Sequence, residues 1–90
     1  MEVTRVTDTD RTPAKTHLEI AEARAGRLGN ARDARLFMET YDTFRKLGRA
    51  LAGTPLDLEY ACREMTRDST VAHAAMIEAL ASLRAEGILP

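Results

Sequence analysis

The sequence predicts an all-α fold, a compact domain of four helices. Three observations carry that expectation. Apolar residues recur at spacings of three and four from about residue 13 onward, and no period-two pattern extends beyond the first six residues. Helix-start and helix-stop residues recur at the right intervals. The chain has no Trp and only two Phe and two Tyr, so its core must be built from Leu, Ile, Met and Ala. Its length of 90 residues allows one domain.

Residues 1–12 are rich in Thr and Asp, with Val3 and Val6 as the large apolar residues after Met1. They read as a flexible tail preceding a single helical domain over 13–90. The first helix is expected to open at Pro13, with Thr12 as N-cap, and Thr16 with Glu19 offers a second capping-box start. Ala14, Leu18, Ala21, Ala25 and Leu28 form one apolar stripe of mostly small residues. Gly29 suits the position just past the helix end.

Asn30 is expected to cap the second helix, with Asp33 at its third position. Phe37, Tyr41, Phe44 and Leu51 share one face, which Leu36 and Leu47 widen. This segment holds three of the four aromatics and ends at Gly53. Thr54 and Pro55 predict the start of the third helix, with Asp57 at N3 and Leu58, Ala61, Cys62 and Met65 facing inward. Asp68 or Ser69 caps the fourth. There Ala72, Met76, Leu80 and Leu83 run down one side, with Ile77 and Ala79 flanking. Gly87 closes it, and Ile88 is expected to fold back on Leu83 or Arg84.

Formal charge is −1 overall but unevenly spread. Residues 1–23 carry −2, residues 24–49 carry +4 and residues 50–90 carry −3. The central basic residues, Arg24, Arg27, Arg32, Arg35, Arg45, Lys46 and Arg49, are candidate contacts for an anion, a nucleic acid or an acidic partner. The competing reading is a solvated helix exterior paired to acids such as Glu39 and Asp42. Opposite charge in the two halves also suits self-association.

The residues offer little chemistry. Metal ligation needs converging donors, but His17, His73 and Cys62 stand apart, with no CxxC or HExxH spacing. Gly26 and Gly29 follow a helix and lack the Lys-Ser/Thr element of a phosphate loop. A lone cysteine excludes an internal disulfide. No apolar run approaches the ~20 residues of a membrane span, and the N-terminus lacks a signal-like apolar region. The expectation is a cytoplasmic protein that is no enzyme, with no cofactor, no bound metal, no membrane and no small-molecule substrate.

Residues 47–71, LGRALAGTPLDLEYACREMTRDSTV, resemble the entry into helix-turn-helix domains of the winged-helix type. Leu56 and Leu58 match the opening of that family's second helix, Ala61 its small residue, and Ser69, Thr70 and Val71 the start of its recognition helix. Leu80, Leu83, Gly87 and Ile88 resemble the family's closing pattern. The sequence departs from it at Met65, where the turn usually holds glycine. The chain also stops at Pro90 without room for a wing, and residues 71–83 hold no Lys or Arg. The resemblance implies helix-turn-helix geometry in the last two helices, with Arg67, Thr70 and His73 as DNA-reading residues.

Two functions therefore stand. The first is a small interaction module (adaptor, inhibitor or regulatory subunit) whose partner is another protein or a second copy, with Leu36, Phe37, Tyr41, Phe44 and Leu47 as candidate interface. The second is a DNA-binding regulator.

Overall fold

The structure is a computed structural model that describes residues 13–90, with side chains from residue 17 onward. The expected tail over 1–12, the Thr12 cap and the Thr16 capping box lie outside those residues or side chains. Four helices follow in order: α1 (Pro13–Gly26), α2 (Ala31–Leu51), α3 (Leu58–Met65) and α4 (Thr70–Ala85). Among the described residues there is no strand.

Local chemistry sets the boundaries. At the start of α2 the Asn30 Oδ1 accepts from the Asp33 N–H at 2.7 Å, and Asn30 Nδ2 donates to Asp33 Oδ2 at 3.0 Å. Ser69 Oγ accepts from the Ala72 N–H at 3.1 Å and so caps α4. At the far end of α4, Gly87 takes φ +79°. That lets the Ile88 N–H donate to the Leu83 carbonyl at 2.9 Å, the Schellman closure expected from Gly87 and Ile88.

Two boundaries differ from expectation. The third helix starts three residues later than Pro55, and its N-cap is Asp57, whose Oδ1 accepts from the Tyr60 N–H at 3.1 Å. Thr54 instead closes α2: its hydroxyl donates to the Leu51 carbonyl at 2.8 Å and its N–H at 3.1 Å. The positive φ of Gly53, +84°, turns the chain so that Thr54 faces backward. Likewise α1 ends at Gly26, so Gly29 (φ +85°) shapes the loop rather than the helix end.

The core is organised on α4, not on α2. Ala75, Met76, Ala79, Leu80 and Leu83 are buried, and so are Glu78 and Ser82, so α4 is covered on several sides. α2 lies along it and contributes Phe37, Tyr41, Phe44 and Gly48. α1 packs on both helices through Ala21 and Ala25, and α3 through Cys62. Leu18, Met65 and Ile77, expected on or beside inner faces, are exposed instead. On α1 the small Ala21 and Ala25 make the contact. The inward arc of α3 runs from half-buried Leu58 through buried Cys62 to the C-cap Thr66, which leaves Met65 to one flank.

Candidate interaction surface

Two carboxylates act as ties, the buried Glu78 of α4 and the half-buried Glu86 that caps its end. Glu78 Oε1 lies 3.3 Å from Arg24 Nε and its Oε2 lies 3.4 Å from His17 Nδ1, which clamps α1 to α4. Near the other end, Arg45 donates to Ser82 Oγ and to Glu86 Oε1, and Arg49 lies 3.7 Å from Glu86. Glu86 Oε2 is 3.0 Å from Arg45 Nη1 but without hydrogen-bond alignment. Ser82 completes the tie by donating to the Ala79 carbonyl at 2.7 Å.

These ties divide the basic stretch. Arg24 binds Glu78, Arg45 and Arg49 bind Glu86, and Lys46 pairs with Asp42 at 3.0 Å on α2 itself. Arg27, Arg32 and Arg35 form no ion pair among the described residues and stay exposed at the α1–α2 corner. Arg32 and Arg35 lie in the first turns of α2, where the helix dipole disfavours cations. Three of the seven candidate contacts, Arg24, Arg45 and Arg49, thus tie helices together, Lys46 makes an exposed pair within α2, and Arg27, Arg32 and Arg35 stay unpaired among the described residues.

The candidate interface also divides. Phe37, Tyr41 and Phe44 lie in the core, Phe44 with an edge on the groove beside Leu36, and Leu47 packs against that core half-buried. Only Leu36 is exposed, at 40 %. It faces a shallow groove of about 390 Å³ between α2 and the α3–α4 turn. Glu39, Thr40 and Thr43 line one wall, and Met65, Thr66 and Ala72 the other. Met65 is 66 % exposed, and on the same short helix Tyr60 is 64 % exposed, with Leu56 just ahead of it also bare. Sequence reasoning missed Tyr60 as a surface residue and put Met65 inside. The signal was available: on α3 the polar Asp57 and Glu64 fall on the same side as Tyr60.

The segment α3–turn–α4 brings together the residues named from the helix-turn-helix resemblance. Thr70 opens α4 on its exposed side. Arg67 is exposed and paired with Glu64 at 3.3 Å. His73 is half-buried, its Nδ1 3.2 Å from Thr66 Oγ1, and Thr66 Oγ1 also donates to the Cys62 carbonyl at 2.9 Å. The exposed positions that follow along α4 are Ala74, Ile77, Arg84 and Ala85. Arg84 is held by Glu59 of α3 at 2.7 Å, and Glu59 also pairs with Arg63. Hydrogen bonds from Arg63 and then Arg84 hold the Glu59 carboxyl below the usual carboxylate range.

A second cleft, about 380 Å³, opens between the end of α2, the start of α3 and the chain end, lined by Leu51, Leu56, Leu58, Leu80, Leu89 and Pro90 with Glu59 and Arg84 at its edge. Cys62 is buried, and that burial pushes its thiol up, with the nearby Glu59 adding to the effect. No group of three or more His, Cys, Asp or Glu converges among the described residues. No described helix is long and apolar enough to cross a membrane. No protein-family model, curated protein or solved structure matches the chain.

Proposed function

We propose that this chain is a small, non-enzymatic helical module for protein–protein interaction that associates with itself. The observation that carries the reading is the concentration of bare apolar side chains around α3. Leu36, Leu56, Tyr60 and Met65 lie on or beside it, exposed by 40–66 %. Tyr and Met are favoured at protein interfaces, and a domain this small gains buried area it lacks by pairing. The charge split between the basic α1–α2 corner and the acidic half from residue 50 onward supports a second copy as partner. A cytoplasmic setting belongs to the same proposal, since a lone core thiol suits a reducing compartment.

The second reading, a DNA-binding regulator, is favoured by Arg27, Arg32 and Arg35, which lack ion-pair partners among the described residues. Sedimentation of the full chain over a wide concentration range, beside anisotropy titrations of labelled duplex DNA over a salt series, separates the two. The interaction reading expects mass that rises with concentration and no DNA binding at low salt. A monomer that binds DNA with steep salt dependence replaces it with the second reading.

A further inference from the structure

We propose that the α2 row Arg32–Leu36–Glu39 is the seam of a two-fold symmetric dimer, in which a second copy lays its own α2 antiparallel across this one. The proposal rests on the interaction reading and names its partner and its surface.

Leu36 is the bare apolar residue of an otherwise charged and polar outer face of α2. Arg32 stands one turn before it and Glu39 one turn after. Neither forms an ion pair among the described residues, whereas Asp42, Lys46 and Arg49 further along α2 do. At about 1.5 Å of rise per residue, Arg32 lies ~6 Å to one side of Leu36 and Glu39 ~4.5 Å to the other. An antiparallel partner crossing at Leu36 therefore brings its Glu39 opposite Arg32 and its Arg32 opposite Glu39. Two equivalent ion pairs then flank a Leu36–Leu36 contact on the axis, which is the self-complementarity an isologous interface requires. A parallel crossing would set like charges against each other, which costs rather than stabilises.

The groove supplies the rest. Thr40, Thr43 and Ala72 are small enough to let a second helix approach, and Met65, two-thirds exposed across the groove, covers the incoming Leu36. Arg32 itself is poorly placed for its own helix, in the first turn against the positive end of the dipole. A carboxylate from the partner offsets that cost.

Sedimentation velocity on the wild-type 90-residue chain and four variants tests the seam, with circular dichroism and thermal melts as folding controls. The wild type is expected to pass from 9.9 kDa to twice that mass as concentration rises. Leu36→Asp is expected to stay monomeric over the same range. Arg32→Glu and Glu39→Arg are each expected to move the dimer midpoint up by about tenfold, and the double variant is expected to move it back, because the swapped charges meet again across the axis. Arg32→Glu should melt no lower than wild type as a monomer, since it puts an acid in the first turn of α2. A dimer that survives Leu36→Asp overturns the seam and leaves self-association standing. A double variant no better than the single ones overturns the antiparallel pairing. A wild type that is monomeric at every concentration overturns both the seam and the self-association it rests on.

Discussion

Gly48 fixes how closely α2 and α4 approach. A glycine inside a helix costs about 1 kcal/mol against alanine, so its place in the last turn of α2 needs a reason. A Cβ added there would overlap Leu83 Cδ1 and touch Leu58 Cδ2, and Leu83 is fully buried with nowhere to retreat. Gly48→Ala is therefore expected to lose about 1–3 kcal/mol by overpacking despite its better helix propensity, read as a lower urea midpoint. A more stable alanine variant would show that Leu83 has another rotamer to use. The caps argue at the same scale. Asp57→Ala should cost about 1 kcal/mol, because it removes the acceptor at the start of α3. Thr54→Ala should cost less, because its N–H still reaches Leu51. Both residues are cap types, and the sequence marks both. What decides between them is the backward turn at Gly53, and its φ is not written in a residue name.

At the scale of the element, legibility followed amphipathicity. α2 has one apolar face and one charged face, so spacing alone put Phe37, Tyr41 and Phe44 on one face, but it did not say whether a partner or the chain's own helices bury that face, and the structure gives it to the core. Phe44→Ala is expected to cost about 3–5 kcal/mol as a core truncation; a loss below 1 kcal/mol in denaturant titration would mean that the site collapses freely. α4 misled in the opposite way. It is covered on several sides, so the one stripe read from its sequence missed Ala75 and the buried Glu78 and Ser82. Nothing in a stretch such as MIEALASLR says that its carboxylate is the inward residue and its isoleucine the outward one. That inversion arises because Arg24 and His17 on α1 and Arg45 on α2 supply partners for polar atoms inside the packing. The candidate surface was half legible for the same reason. Leu36 was legible as an edge of the α2 apolar face and Arg32 as one of the seven central basic residues. Met65 and Tyr60 sit on a helix of eight residues, where the clue to the outer side was two polar residues, Asp57 and Glu64, beside Tyr60.

At the scale of the whole molecule, stability is expected to be graded. The α2–α4 pair holds most of the core, whereas α3 is tied down by Cys62 and Thr66 within, Leu58 beside them and the Glu59–Arg84 bridge at the surface. Sub-global opening should therefore release α3 first, and Cys62 reports it. Burial raises the pKa of its thiol, so in the closed state it is inaccessible and less ionised than a free thiol. Thiol labelling then requires α3 to lift. The signs of the two shifted groups differ. The lowered Glu59 carboxyl favours the closed state above the pKa of an unfolded carboxylate, and that contribution is lost as pH falls through its folded value. Raised Cys62 favours the closed state below the free-thiol pKa and loses that contribution as pH rises through its own folded value. Arg84→Ala removes one of the two cations on Glu59 and the link from α3 to α4. It is expected to speed Cys62 labelling a few-fold near pH 8 while leaving the global urea midpoint almost unchanged. If labelling and midpoint shift in proportion, α3 opens only with the whole molecule and the domain is one cooperative unit. If labelling alone responds, the helix that carries Tyr60 and Met65 is also the one that moves most readily, and a partner seated against it would slow that labelling.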